Sequence, residues 1–309
     1  MKNKTFLVTG GTGFIGSNIV KHLVKKNFKV KVFDNNSRGN IDKIKPIKKK
    51  VKFIKGDIRS KKSINSALKN VDAVIHLAYV NGTKNFYRYP VKVLDIAING
   101  IVNVIDGCIK NKVKELYLAS TSEVYQTPEK IPTDEKETLK IPDIHNPRYS
   151  YAGGKILTEL MGIHYGKKYF KKLIIFRPHN VYGKNMGEDH VIPEFIKRFK
   201  NLKNRKFKIQ GTGNEIRAFI YIDDFVSAFE AILKKGKHLN IYNIGTSEKV
   251  KIKDLAKKIS KILEKKIVIK KTPLKKGSTK LRVPNIKKIK KLGFKPRYSL
   301  ENGLKKTII

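Results

Sequence analysis

Residues 5–24 constrain this chain more tightly than any other stretch. A short apolar run, Thr5 to Val8, leads into Thr9-Gly10-Gly11-Thr12-Gly13-Phe14-Ile15-Gly16, and an apolar-periodic segment continues to Val24. The order is strand, glycine turn, helix. Gly10 permits a tight turn, Gly13 lets the backbone approach a pyrophosphate, and Gly16 lets the helix lie close against the strand. The start of the helix, at Phe14 and Ile15, offers free N–H groups and the positive end of the helix dipole to a phosphate. A glycine triplet alone is a weak signal. It gains weight from a distant Tyr-x-x-x-Lys pair, Tyr151 and Lys155 in Tyr151-Ala152-Gly153-Gly154-Lys155.

Short apolar runs alternate with helical patterns through the first part of the chain. Strands are expected at Thr5–Val8, Lys29–Phe33, Val51–Ile54, Ala73–His76, Glu115–Leu118 and Leu173–Phe176. Long helices are expected at Pro90–Lys110 and Tyr149–Phe170. Such alternation implies βαβ units, hence an α/β fold with a doubly wound parallel sheet. After Arg177-Pro178 the segments become shorter and more polar, with helices near Pro193–Lys200, Asp223–Lys234, Ile252–Leu263 and Asn285–Lys291. We expect a first domain over 1–177, rejoined by 218–245, and a smaller C-terminal region over 178–309 that covers a substrate. Ala218–Ile222 and Ile241–Ile244 are candidate strands returning to the neighbourhood of the sheet.

The 309 residues carry a formal net charge of +44, with lysine far outnumbering arginine. One reading is a nucleic-acid or membrane surface. The other is lysine spread over solvated faces, and we adopt it because no nucleic-acid-reading motif accompanies the charge. In either case the field attracts an anionic substrate. The single cysteine, Cys108, makes neither an intramolecular disulfide nor a metal cluster, so no metal site is expected and a reducing, cytoplasmic setting is. No stretch has a leader pattern or approaches the roughly 18 apolar residues of a membrane span.

The strand ends carry the chemistry. Asp34 closes the second strand at the distance where a carboxylate accepts hydrogen bonds from a dinucleotide's ribose and repels a 2′-phosphate, which favours NAD over NADP. Arg38 nearby pulls the other way. Asp57 follows the third strand, where an adenine edge would lie. His76 ends the fourth strand and reads better as a buried structural histidine than as a catalyst. Tyr151 and Lys155 stand at i and i+4, so their side chains share a helix face. A neighbouring ammonium favours the phenolate and turns a phenol into a usable base. A hydroxyl in Ser120-Thr121-Ser122 could bridge Tyr151 and a substrate oxygen.

Taken in order, these segments resemble an extended short-chain dehydrogenase/reductase of the NAD-dependent sugar-nucleotide epimerase/dehydratase family. The resemblance rests on Gly10 to Gly16, Asp34-Asn35-Asn36-Ser37-Arg38-Gly39, Gly56-Asp57-Ile58-Arg59, His76-Leu77-Ala78, Ser120-Thr121-Ser122-Glu123-Val124-Tyr125, Tyr151 to Lys155, Arg177-Pro178-His179-Asn180-Val181-Tyr182-Gly183, Arg217 to Asp224 and Leu292-Gly293-Phe294-Lys295-Pro296. It implies a Rossmann-type fold and NAD as cofactor. Asn35, Ile58, Leu77 and Ala78 would join Asp34 and Asp57 around that cofactor. Thr121 would be the active-site hydroxyl, Tyr151 the base and Lys155 its partner. Asn180, Arg217 and Arg282 would bind a nucleotide-sugar substrate, the arginines at its diphosphate. Asn99 is matched to an asparagine of the long fourth helix. A homodimer formed by the two long helices is also implied.

Three residues depart from the family pattern: His179, Gly154 where serine often precedes the lysine, and Ser122-Glu123 in place of the Asp-Glu pair of 4,6-dehydratases. Dehydration needs an acid for the departing 6-hydroxyl and a base for the C5 proton. Glu123 could be the base, but Ser122 is a weak acid. We therefore expect oxidation and reduction at one carbon, a C4 epimerase working through a 4-keto sugar. The alternative is a UDP-glucuronate decarboxylase, whose strand-end segment Thr121 to Tyr125 resembles, or another 4-keto-forming nucleotide-sugar lyase. C3/C5 epimerisation using Glu123 and a non-catalytic nucleic-acid-binding relative are further alternatives. His179 and His190 are candidate substrate contacts, and the loops Val80–Tyr89 and Lys184–His190 carry no decisive chemistry.

Overall fold

The structure, a computed structural model, describes residues 4–274 and 277–309. The first part of the chain runs β1 (Thr5–Thr9), α1 (Phe14–Lys25), β2 (Lys29–Asp34), β3 (Val51–Lys55), α2 (Lys61–Ala67), β4 (Ala73–His76), α3 (Thr83–Arg88), α4 (Pro90–Lys110), β5 (Glu115–Ala119), α5 (Tyr149–Tyr169) and β6 (Lys172–Pro178). All six expected strands and both long helices are present. A 3-10 helix over Ile41–Lys50 stands between β2 and β3, and a shorter one over Ser122–Tyr125 follows β5.

The strands form a seven-stranded sheet in the order Asn240–Ile244, β6, β5, β4, β1, β2, β3, and β1 to β6 pair in parallel. The direction of chain travel reverses between β1 and β4, so the crevice beyond their carboxyl ends is the topological switch point where open α/β sheets bind ligands. Alternate strand residues feed opposite faces. Leu7, Val74, Leu116, Leu118, Leu173 and Ile175 pack with Ile64 of α2 and with Ile101, Val104 and Ile105 of α4. Pro90 occupies the first turn of α4, where its missing N–H costs nothing. α5 lies close to the sheet because Gly162 faces Leu118, and a Cβ there would sit 2.6 Å from Leu118 Cδ1.

The chain divides into two compact units. The first holds residues 1–124, 141–177 and 232–241, and the second holds 125–140, 178–231 and 242–309. The second unit is built on short pairings. Val181–Tyr182 pairs with Ile220–Tyr221, Lys206–Gln210 with Val268–Thr272, and Ile216–Arg217 lies between Val250–Lys251 and Leu281–Arg282. Phe199 and Phe207 stack at 4.0 Å beneath the helix Val191–Lys200.

One expectation needs correcting. Ala218–Ile222 does not return to the large sheet. Only Ile220–Tyr221 is extended, and it pairs with Val181–Tyr182, because a helix begins at Ile222 and runs to Lys235. That start is held by Asp224, whose carboxylate accepts from the backbone N–H groups of Arg297 and Tyr298. Asn240–Ile244, in contrast, joins the sheet beside β6. Among the described residues no helix is long and apolar enough to cross a membrane.

Candidate active site

Gly10 closes β1 with φ +71°, a left-handed conformation that glycine adopts without strain. Its backbone also lies against β4's continuation: a Cβ on Gly10 would come within 2.7 Å of the Ala78 nitrogen. Leu77 N–H donates to the Thr9 carbonyl at 3.1 Å, and Ala78 N–H to Thr9 Oγ1 at 3.3 Å. The turn and the end of β4 thus form one cradle at the switch point. A Cβ on Gly16 would collide with the Gly10 carbonyl, so the helix enters close to the turn. No side chain caps α1, and its first turn holds no acidic residue. These features fit a dinucleotide pyrophosphate seated on the first N–H groups, at Phe14, Ile15 and Gly16.

Asp34 is buried at the end of β2 and accepts hydrogen bonds from the backbone N–H groups of Thr12 at 3.0 Å and Asn36 at 2.9 Å. The carboxylate is therefore fixed beside the glycine turn. Asn35 is exposed and donates to Asp57 Oδ2 at 3.0 Å. Asp57 also pairs with Arg59 at 2.9 Å, and the hydrogen bond from that guanidinium is the main cause that holds its carboxyl down to about 2. Ile58 is buried and faces Gly100 of α4, where a Cβ would collide with its side chain. Its side chain therefore belongs to the core, and only its backbone is available to a ligand. Asn99 is exposed and bonds Asp95 one turn earlier on α4. Asn103, which the sequence did not single out, instead ties α4 to the carbonyls of Ile58 and Arg59 at 3.0 and 2.9 Å.

Tyr151 and Lys155 lie on α5, and both are buried. Lys155 Nζ donates to the Ala119 carbonyl at the end of β5 at 2.7 Å, which brings the lysine beside Ser120-Thr121-Ser122. Burial pulls its pKa down to about 7, against a partial upward pull from Glu159. Glu159 is itself locked to Arg177 of β6 in a buried ion pair, Nε to Oε1 at 2.8 Å. Thr121 Oγ1 accepts from the Glu123 N–H at 3.2 Å. Glu123 faces Arg148, which immediately precedes α5, at 3.6 Å. Thr121, Glu123, Tyr151 and Lys155 are thus gathered at one end of β5 by contacts within a single unit.

His76 is buried on β4 with Nδ1 2.8 Å from Thr9 Oγ1, and burial holds it down to about 3, a neutral core histidine. The loop Val80–Tyr89 does carry relevant structure, contrary to expectation. It contains α3, whose Phe86 stacks on the Tyr151 ring at 4.6 Å and 12°. Tyr79, just before it, meets the same ring edge-on at 5.3 Å. An aromatic pattern after the fourth strand was the available signal.

The second unit holds the three expected substrate residues. Asn180 adopts φ +39° and donates to the Ala218 carbonyl at 2.9 Å. Arg217 and Arg282 are register partners on adjacent parallel strands. Their side chains therefore leave the same face. Arg217 donates to the Ile216 and Thr279 carbonyls at 2.8 and 2.6 Å, and Arg282 to Thr279 Oγ1 at 3.0 Å. Two cations directly opposite each other disfavour a sheet, and an anion between them reverses the sign. His179 is fully buried, with Nε2 3.2 Å from Asn243 Oδ1, within the core of this unit. His190 caps the start of the helix Val191–Lys200 through its backbone position.

The model of the NAD dependent epimerase/dehydratase family matches residues 6–245. The chain belongs to that family. A dTDP-D-glucose 4,6-dehydratase of Dictyostelium discoideum is 35% identical over 83% of this chain, which spans 61% of that protein's length. A UDP-N-acetyl-alpha-D-glucosaminuronate decarboxylase of Bacillus cytotoxicus is 31% identical, covering 99% of this chain and 97% of the relative. Among solved structures, the UDP-N-acetylglucosamine 4-epimerase of Methanobrevibacter ruminantium superposes with a TM-score of 0.90 at 28% identity, covering 100% of this chain and 98% of that one. The family is NAD-dependent, these relatives are named for dehydration, decarboxylation or epimerisation of nucleotide sugars, and the α/β fold is shared with the solved epimerase.

Proposed function

We propose that the chain is an NAD-dependent nucleotide-sugar epimerase that inverts C4 of a UDP-hexose or UDP-hexuronate through a 4-keto intermediate. The observation that carries this reading is the composition of the β5 end. Tyr151 and Lys155 supply a base and its partner there, Thr121 and Ser122 supply hydroxyls, and the carboxylate of Glu123 already faces Arg148. That set suits proton removal from a hydroxyl. It lacks an acid at position 122 to protonate a departing 6-hydroxyl, which weighs against simple 4,6-dehydration.

In this account Gly10, Gly13 and Gly16, with the first turn of α1, hold the cofactor's pyrophosphate, and Asp34 accepts from a ribose hydroxyl. Asn35, Asp57, Ile58, Leu77 and Ala78 border the rest of the dinucleotide. Bound there, NAD supplies acceptance of a hydride from C4 and its return. Tyr151 takes the C4-hydroxyl proton, and Thr121 bridges the phenol and that oxygen. Lys155 stabilises the phenolate and hydrogen-bonds the nicotinamide ribose. Arg217 and Arg282 grip the diphosphate through charge-assisted bonds, for which a guanidinium fork is better shaped than an ammonium. Asn180 is assigned, on the family resemblance, to the substrate's sugar and diphosphate. After the 4-keto sugar presents its other face, Tyr151 returns the proton.

A second reading, decarboxylation of a hexuronate, is favoured by Arg148. Its Nε is buried without a hydrogen-bond partner beside Glu123, a place for a sugar carboxylate. A carboxyl β to the new ketone is labile, so the first half-reaction is shared. The partner of the chain is a second copy. Val91, Leu94 and Ile98 form one apolar stripe on α4, and Leu160 of α5 is 54% exposed.

The test is incubation of the purified protein and NAD with UDP-glucose, UDP-glucuronate, UDP-N-acetylglucosamine and GDP-mannose, followed by mass and proton NMR. One of them yields a product of unchanged mass with an inverted C4 signal, and Tyr151→Phe lowers kcat about 10²–10⁴-fold. Loss of CO2 from UDP-glucuronate would replace the first reading with the second.

A further inference from the structure

We propose that Tyr79 is a positioning residue for the Tyr151–Lys155 pair, its ring carrying the lysine ammonium and its edge fixing the Tyr151 ring. The role rests on the proposed function only in calling that pair catalytic. Lys155 Nζ stands 4.0 Å from the centroid of the Tyr79 ring, within cation–π range. The same ring meets Tyr151 at 5.3 Å and 83°, while Phe86 covers the face of Tyr151. Tyr151 is thus packed against one stacked ring and one nearly perpendicular ring, and a phenol so confined has few directions for its oxygen.

The ammonium has three donors. One goes to the Ala119 carbonyl and one lies over the Tyr79 face. The third remains for an acceptor from outside the protein. Gly154 makes the arrangement sterically possible. A Cβ there would collide with the Tyr79 hydroxyl and lie 2.5 Å from Ala97 Cβ. The departure of Gly154 from the serine common in the family is explained by the presence of Tyr79 in that space. The Tyr79 hydroxyl itself is buried without a hydrogen-bond partner, and burial keeps it un-ionised, well above the ordinary phenol range. The ring, then, does the positioning, and the hydroxyl does not.

The titratable groups facing Lys155 are His76 from β4, Tyr79 after it, and Tyr151 and Glu159 from α5, with Arg177 of β6 balancing Glu159. Removal of the ring leaves the others in place and takes away an attraction felt only by the charged amine. Lys155 must then lose its proton at lower pH.

The experiment is an NMR pH titration of the protein carrying 13C-labelled lysine, with the Lys155 Cε signal assigned by its loss in Lys155→Met, because the buried amine is followed there without a reagent having to reach it. It needs no turnover, so its outcome is separable from that of the functional reading. Tyr79→Leu keeps an apolar wall and shifts the Lys155 titration downward, raising the ratio of neutral to charged amine about tenfold at a given pH. Tyr79→Phe keeps the ring, superimposes on the unmodified protein and folds at least as stably, since it deletes an unsatisfied hydroxyl. A Tyr79→Leu curve identical to that of the unmodified protein would overturn the proposal. So would a shift in Tyr79→Phe equal to that in Tyr79→Leu, which would assign the effect to the hydroxyl.

Discussion

Lys155 shows how burial prepares a side chain for work and leaves a thermodynamic trace. Its folded-state pKa is about 7 against an ordinary 10.5. Below pH 7 both folded and unfolded chains hold the proton, and the fold carries the full unfavourable term for a buried ammonium. Between those two values only the unfolded chain holds it, so the term fades as pH rises. Lys155→Met removes the group. Its melting temperature relative to the unmodified protein is therefore highest below pH 7 and declines as pH approaches 10.5, as calorimetry across that range would show. A difference that does not change with pH would mean the lysine titrates normally. His76 reads from the sequence as a buried structural histidine, whereas Asp57 stays open there because residue type alone does not tell a paired carboxylate from a ligand contact. Burial against Thr9 settles the first, and the Arg59 pairing defines the second.

At the scale of elements, α5 joins chemistry to architecture. It carries Tyr151 and Lys155 on its first turns and Glu159 one turn further on, where the Glu159–Arg177 pair anchors the helix to β6. Glu159→Ala breaks this buried ion pair, and chemical denaturation should report a loss of about 3–5 kcal/mol. A loss under about 1 kcal/mol would mean that the pair is solvated. β1 to β6, α4 and α5 were legible in the sequence because alternating apolar runs and Gly or Pro punctuation are local signals. The glycine turn was legible for the same reason. The loop before α4 showed only as a cluster of aromatics, since nothing local says that Phe86 will stack on a tyrosine far along the chain. Ala218–Ile222 misled because a two-residue strand and a buried helix start look alike in hydropathy. The adjacency of Arg217 and Arg282 is a product of sheet register, which no periodicity announces.

For the whole molecule, the apolar stripe on α4 and Leu160 of α5 predict an isologous dimer. Leu94→Lys with Ile98→Lys should convert it to a monomer by sedimentation, while a dimer that persists would place the interface elsewhere. The large positive charge adds long-range attraction for a nucleotide sugar, screened by salt. In the proposed reaction hydride leaves C4 and returns to the opposite face of the same carbon, with no atom lost from the sugar. The direct measurement follows UDP-glucose deuterated at C4, or whichever nucleotide sugar in the panel turns over, by NMR and mass spectrometry with the protein and NAD. The account predicts deuterium retained at C4 in the inverted sugar, with no change in mass. Deuterium found at C6 with loss of water, or retained at C4 with loss of CO2, would contradict it.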